Sequence, residues 1–439
     1  MSVPEVTDTG AIDVVGHGMF RAFRIYNYRI WFFGSLASSL GAWMQATAMS
    51  WAVLTELTDG DAGAMGFAVA FQALPSLLLI PLVGMVVDRF DRRTLLYLTS
   101  GLLGLLALAL GTLLVLGVLT LPMMFVFNAT WGVITAFDQP LRQSLFGDIV
   151  PRGMLVNAVT LGSVQFNVAR LSGPALAGVL IAVIGSGWLF ILNTASYLIL
   201  IVALAVMRKS EFIPRVRDAA SASMRSAVRY VRHRSDILLL LGMVLISSAF
   251  VTQFTIYAAA MAVSFNEPSW AFGLVTSCYA VGSLTGAFFL ARLRVVRMRR
   301  IVFFALLVAI ATAISASMPS FWGYAAVAVG CGYSIVTLMG TANAYMQAHT
   351  DPAVRGRVLV MYTAFFTGGA PFGAPVIGLV ANDWGARGAV GLVAGTALVA
   401  SLVGLIWYLS TGRIHRSKGR RFRLDLDATR PITLPVVGE

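Results

Sequence analysis

The chain has 439 residues, 58% of them hydrophobic and 12% charged, with a formal net charge of +13 and a mean hydropathy of +0.82. A soluble domain carries about twice that share of charge, and a membrane-spanning helix uses about 20 apolar residues. The composition therefore excludes an ordinary soluble enzyme and leaves room for a dozen spans. Cys278 and Cys331 both lie inside apolar runs, which excludes a disulfide framework and a cysteine-based metal site.

Only helices and closed barrels satisfy every backbone group in lipid. The apolar runs are long and do not alternate, which selects helices. Residues 1–29 form an N-terminal segment without the pattern of a cleaved signal. Its end, Phe20-Arg-Ala-Phe-Arg-Ile-Tyr-Asn-Tyr-Arg-Ile-Trp31, mixes aromatic and basic residues as interfacial anchors do. Spans 1 to 6 are expected at 30–55, 64–87, 94–117, 122–140, 159–184 and 188–207, forming a first bundle over 30–207. The loop 208–236 follows, with a short surface helix within Ser221 to Arg234. Spans 7 to 12 are expected at 237–263, 270–291, 301–318, 321–347, 358–381 and 388–410, a second bundle over 237–410. Residues 411–439 read as a basic, disordered tail.

Placing the basic residues on this plan tests it. Of 32 Lys and Arg, 30 fall on one side of a twelve-span chain; Arg387 lies on the other and Arg170 within span 5. The positive-inside rule then puts both termini in the cytoplasm. It also accounts for the basic balance without nucleic acid.

Two prolines repeat at a fixed interval. Pro151 and Pro352 are 201 residues apart, as are Pro174 and Pro375. They fall at matching places around spans 5 and 11, as parallel repeats related by an axis along the membrane normal require.

Between spans 2 and 3 runs Gly84-Met-Val-Val-Asp-Arg-Phe-Asp-Arg-Arg93, with five charges in its last six residues. Such charges must sit at the water interface. With Phe137-Asp-Gln-Pro-Leu-Arg-Gln-Ser-Leu145, Asp148-Ile-Val-Pro151 and Arg170-Leu-Ser-Gly-Pro174, this stretch resembles the major facilitator superfamily over roughly 22–411. Within it the motifs are most similar to the drug:proton antiporter-3 branch, which includes enterobactin and macrolide exporters. The resemblance implies an all-α membrane protein with twelve transmembrane helices in two pseudo-symmetric six-helix bundles.

The resemblance also implies a charge relay made of Gly84, Asp88, Arg89, Asp91, Arg92, Arg93, Asp138 and Arg142. In it Asp88 caps the N-terminus of span 11, where helix dipoles favour an anion, and Arg92 pairs with Asp138. The counterpart in the second half, Gly286 to Arg300, is basic without an acid, so the latch is expected to be asymmetric. Gly173, Pro174 and Gly178 of span 5 resemble the family's antiporter signature; read alone, they are equally a groove for close helix packing.

Arg170 is the most informative residue, because a guanidinium near mid-membrane must face protein or water. It binds an anionic substrate group, or pairs with Asp138, or bonds carbonyls of a broken helix, or snorkels to the surface. Gln45, Asn128, Gln165, Asn167, Gln253 and Asn343, with Trp131, Tyr257 and Met339, are candidates to line a central cavity. Each taken singly is better explained by interhelical hydrogen bonding and packing, whereas the group suits a mixed aromatic–amide cavity. No Asp or Glu lies near the centre of a span, and His17, His233, His349 and His415 all fall in loops or tails. Proton coupling therefore rests on the resemblance, with Asp138 the first candidate and Glu56 the second. No nucleotide loop, metal site or nucleophile–base pair is present, so no cofactor and no catalysis are expected.

The expected function is a monomeric, proton-coupled secondary exporter of amphipathic small molecules, drugs or siderophore-like metabolites, in the cell membrane. Alternatives are a lipid or lysophospholipid transporter or solute importer of the same fold, and a non-transporting membrane sensor or assembly factor.

Overall fold

The computed structural model describes residues 20–213, 224–293, 296–351 and 354–411, without the side chains of Pro81, Asp88, Arg152, Met224, Ser226 and Thr411. The N-terminal segment before Phe20, the tail beyond Thr411 and Pro352 lie outside these residues. Eight helices are long and apolar enough to cross a membrane, and one of them, Arg355–Ser410, holds two spans divided by a left-handed Gly385 (φ 75°). Two less apolar helices, Tyr26–Ala52 and Leu121–Ile149, and one shorter apolar helix, Ala62–Leu78, complete twelve spans.

The first half comprises span 1 (Tyr26–Ala52, ending in a π-helical turn Val53–Leu57), span 2 (Ala62–Leu78 and Ile80–Arg89) and span 3 (Arg92–Val115). Span 4 (Leu121–Ile149), span 5 (Leu155–Ile184) and span 6 (Ser186–Val206) complete it. The second half comprises span 7 (Ser235–Ile246, a π-helical turn Ser247–Val251, then Phe254–Ser264), span 8 (Ser269–Ala291) and span 9 (Met298–Ser317). Span 10 is Phe321–His349 and span 11 runs from Arg355 to the Gly385 kink, beyond which span 12 ends at Thr411. A short helix, Met224–Arg232, stands between the halves in sequence. It buries Ala227 and Val231 and leaves Arg225, Arg229 and Arg232 outward, the surface helix expected there.

Local chemistry sets several boundaries. Asp61 and Asp91 cap spans 2 and 3 by accepting from the backbone N–H of Ala64 and Thr94. Span 2 is not the unbroken 64–87 helix expected: Pro75 and Pro81 flank a break at Leu79. Span 4 is longer than the 122–140 expected, because Pro140 is absorbed within a helix that continues to Ile149.

The repeat is carried by glycine as well as proline. Gly185 (φ 84°) turns span 5 into span 6 and Gly385 (φ 75°) turns span 11 into span 12. Both conformations are ones that a side chain strains.

Nearly all described basic residues sit at one end of the bundle, here the basic end. At the far end the two halves are fused. A single apolar core takes in Ala62, Met65 and Phe190 of the first half with Phe272, Tyr324 and Ile377 of the second. A separate core at the basic end holds first-half residues alone, among them Tyr28, Leu96, Leu145 and Leu204.

Candidate transport site

Two seams join the halves, and both start at the far end. In one, span 5 crosses span 8. A Cβ on Gly273 would fall 2.6 Å from the Pro174 carbonyl oxygen, and one on Gly178 would fall 2.9 Å from that of Ser269. The Ser269 hydroxyl donates to Gly178 (3.2 Å) and the Ser277 hydroxyl to the Leu171 carbonyl (3.1 Å). In the other, span 11 crosses span 2. Gly66 lies on the backbone of Ala374 and Pro375, and Gly378 lies on that of Ala62. The proline and glycine positions of the repeat are thus where each half's fifth helix meets the other half's second. Small residues let the backbones touch. Hydrogen bonds cross between the halves from the far end, at Asn382, Ser269 and Ser277, down to Arg170 and Ser283 at mid-span, so the molecule is sealed at its far end.

Asn382 fastens the second seam. Its Oδ1 accepts from the Ala62 N–H (2.9 Å) and its amide donates to Asp61 (2.6 Å). The Asn382 bond, aided by the helix N–H groups of Ala64 and Gly63, holds the Asp61 carboxyl below the usual carboxylate range despite partial burial. A carboxylate with a lowered pKa favours the sealed form at neutral pH and stops doing so as pH falls through the lowered value. We therefore expect spin labels on Asp59→Cys and Asp383→Cys to move apart as the far side is made strongly acidic. Asn382→Ala should flatten that response, and an unchanged response would exclude Asp61 as its source.

Arg170 lies where the first seam stops. It is 15 residues into span 5, about 22 Å from the basic end at ~1.5 Å per residue. One amino group donates to the Ser283 hydroxyl of span 8 (3.3 Å). Its guanidinium lies 5.8 Å from the ring of Trp43 on span 1 and 5.7 Å from that of Tyr279 on span 8, within cation–π range. Tyr279 stacks on Phe254 of span 7 at 4.1 Å and Trp43 meets Phe166 edge-on. Gly173 makes this possible, since a Cβ there would come 2.6 Å from the Trp43 Cβ. Arg-Leu-Ser-Gly-Pro thus acts as a unit: Gly173 admits Trp43, Pro174 seats span 8, and Arg170 is held one turn below. Among the described residues Arg170 has no carboxylate partner; it neither pairs with Asp138 nor bonds a helix carbonyl.

The basic end differs from the relay expected. Arg92 pairs with Asp148 (2.8 Å) and donates to the Ser144 carbonyl (2.7 Å). The extra length of span 4 explains the change. Asp148 is level with the start of span 3, whereas Asp138 lies ten residues, about 15 Å, deeper. Asp138 instead binds Arg142 of its own span and accepts from Thr99 (2.8 Å), while Arg142 reaches Ser38 on span 1 (3.1 Å). Arg93 is buried and donates to the last carbonyls of span 6, those of Leu204, Ala205 and Met207. Asp91 is spent on its cap; Gly84 and Arg89 are exposed at the end of span 2, and the Asp88 side chain lies outside the described residues. The second half does have an acid at this end. Asp236, in the first turn of span 7, is held by Arg234 (2.7 Å) and by the Tyr345 hydroxyl (3.0 Å).

Most of the polar cavity candidates face their own half. Gln45 binds Asn193 of span 6, and Gln165 donates to Ser35 and Ser39 of span 1. Trp131 packs on Tyr197, and Asn128 donates to the Met124 carbonyl. Gln253 and Tyr257 satisfy the carbonyls of Ser248 and Val251 at the break in span 7. Asn167, Met339 and Asn343 are half-buried; Asn343 accepts from Gln347 (2.6 Å) and the Met339 carbonyl from Tyr362 (3.1 Å). Glu56 accepts from the Ser186 hydroxyl at the far end. The sequence reading missed Trp43, Tyr279, Ser283 and Phe254. Depth along the spans is the signal that finds them: Trp43, Arg170 and Tyr279 each lie near the middle of their helix.

A family model described as transmembrane secretion effector matches residues 17–421. The chain belongs to that family of major facilitator transporters. It is a multi-pass membrane transporter and not an enzyme. It is 28% identical over 173 residues to the staphyloferrin A transporter of Staphylococcus aureus (strain NCTC 8325 / PS 47), covering 39% of this chain and 43% of that protein. It is 25% identical over 200 residues to the uncharacterized MFS-type transporter YfiS of Bacillus subtilis (strain 168), covering 44% of this chain and 46% of the other. Both alignments span less than half of these relatives. The structure of the nucleoside transporter NupG superposes with a TM-score of 0.67 at 14% identity, covering 88% of this transporter and 99% of NupG.

Proposed function

We propose that the transporter is a proton-coupled exporter of amphipathic small molecules in the cell membrane, working as a monomer by alternating access. The observation that carries this is a bundle sealed at one end by two backbone seams, with a half-buried arginine and aromatic rings beneath the seal. Rocking one half on the other exposes such a site to each side in turn. The positive-inside rule makes the basic end cytoplasmic, so the site is loaded from within. Similarity to the staphyloferrin A transporter supports a siderophore-like metabolite over a nutrient. Asp138 is the proposed proton carrier, because protonation would release Arg142, which reaches span 1. In this reading the Asp88 stretch meets span 11 only when the basic end closes.

Substrate accumulation is measured in cells with and without a proton uncoupler. Uncoupler-induced accumulation, lost in Asp138→Asn with membrane insertion intact, is the expected result. Export that continues in de-energised cells would sink the antiport reading, and uptake into right-side-out vesicles would reverse the direction.

A further inference from the structure

We infer that the substrate of this site carries an oxyanion, a carboxylate or an acid of similar size, attached to a flat apolar body. The inference rests on the transport reading above and names the substrate class of the same site. Three observations lead to it.

The first is the charge balance at mid-membrane. Asp138 and Arg142 neutralise one another. Arg170 has the hydroxyls of Ser283 and Tyr279 and two aromatic faces, and no carboxylate among the described residues. The site therefore has net positive charge in a low-dielectric setting, where an unpaired ion is costly. A cationic amphiphile would add to that cost and an anion would remove it.

The second is the remaining donor capacity. A guanidinium offers five N–H groups in a planar fork matched to an oxyanion, and Ser283 accepts from one amino group. No Arg170 nitrogen is among the buried polar atoms that lack a partner. Its remaining donors are therefore not fully buried.

The third is the wall around it. Trp43, Tyr279 and Phe254 come from spans 1, 8 and 7. Rings from both halves thus flank the charge, and an aryl or similar flat body bound between them keeps its acid on Arg170. Because Arg170 and Ser283 belong to opposite halves, an anion held there bears on the seam itself.

The test uses the purified full chain in nanodiscs of neutral lipid. Three probes of one shape are compared: 2-naphthylacetate, its primary amide and the corresponding amine. Wild type should bind the carboxylate at least about tenfold more tightly than the other two, the scale of a hydrogen bond to a charged group. Arg170→Gln should lose that preference and bind the carboxylate no more tightly than the amide. Arg170→Lys keeps the charge without the fork, should show an intermediate preference, and serves if the glutamine variant does not insert. No carboxylate preference in wild type, or full preference in Arg170→Gln, overturns the inference. If phosphatidylglycerol in the nanodisc displaces the carboxylate from wild type only, the anion is a lipid headgroup and the solute assignment is overturned. In proteoliposomes, carboxylate bound but never moved would count against transport and leave the anion site standing. Amine moved without carboxylate preference would do the reverse.

Discussion

Gly273→Val should abolish transport while leaving the protein inserted and folded. The built Cβ is already 2.6 Å from the Pro174 carbonyl oxygen and 3.0 Å from the Gly178 Cα, and both are backbone atoms that cannot rotate aside. Overpacking of this kind costs about 1–3 kcal/mol, enough to reduce the sealed population roughly ten- to a hundredfold. Gly66→Val, against the Ala374 backbone, should act the same way on the other seam, and alanine at either position should give a milder defect. A direct readout is a cysteine at Ser277, in a background with Cys278 and Cys331 changed to Ala. A membrane-impermeant thiol reagent applied from the far side should label it slowly in wild type and fast in Gly273→Val. Equal labelling with full export would mean that the seam is not a gate.

Loss of either member of the Asp138–Arg142 pair should destabilise the first half by about 3–5 kcal/mol, the cost of leaving a buried charge alone. Asp138 keeps only 3% of its side-chain surface and Arg142 13%, so solvent relieves neither. Replacing both should cost less than the two single changes together, with Thr99 and Ser38 left as neutral partners. Thermal unfolding in detergent of Asp138→Ala, Arg142→Ala and the double variant measures this. Additive effects would show that the pair does not act as a pair. Arg92→Ala should also destabilise this half, since Arg92 and Asp148 keep only 16% and 12% of their side-chain surface.

The comparison of these two sites shows what the sequence could carry. Hydropathy, the sidedness of arginine and the proline interval were enough for twelve spans in two repeated halves, because each is a local or periodic property. The pairings were not legible. The resemblance implies Arg92 with Asp138 at the end of span 4, but span 4 runs nine residues past Pro140 to Ile149 and brings Asp148 within reach instead. Asp236 was assigned to a loop, although it opens span 7. The amides Gln45 and Gln165 were expected in a cavity. Their partners Asn193, Ser35 and Ser39 lie on neighbouring helices of the same half, and helix rotation is not written in composition. Arg170 stood out alone because charge at that depth is rare, whereas the rings around it look like any apolar residue.

The seams also divide the labour between the two ends. The far end is closed by shape, with glycine laid on peptide backbone, and dispersion contacts are indifferent to ionic strength. The basic end holds the ions. Salt, internal pH and the membrane potential, worth about 2.3 kcal/mol per charge moved through 100 mV, therefore have little to grip at the seal itself. They act on the opposite end, as a hand works a long lever, and Asp61 is left as the seam's own sensor of the outside.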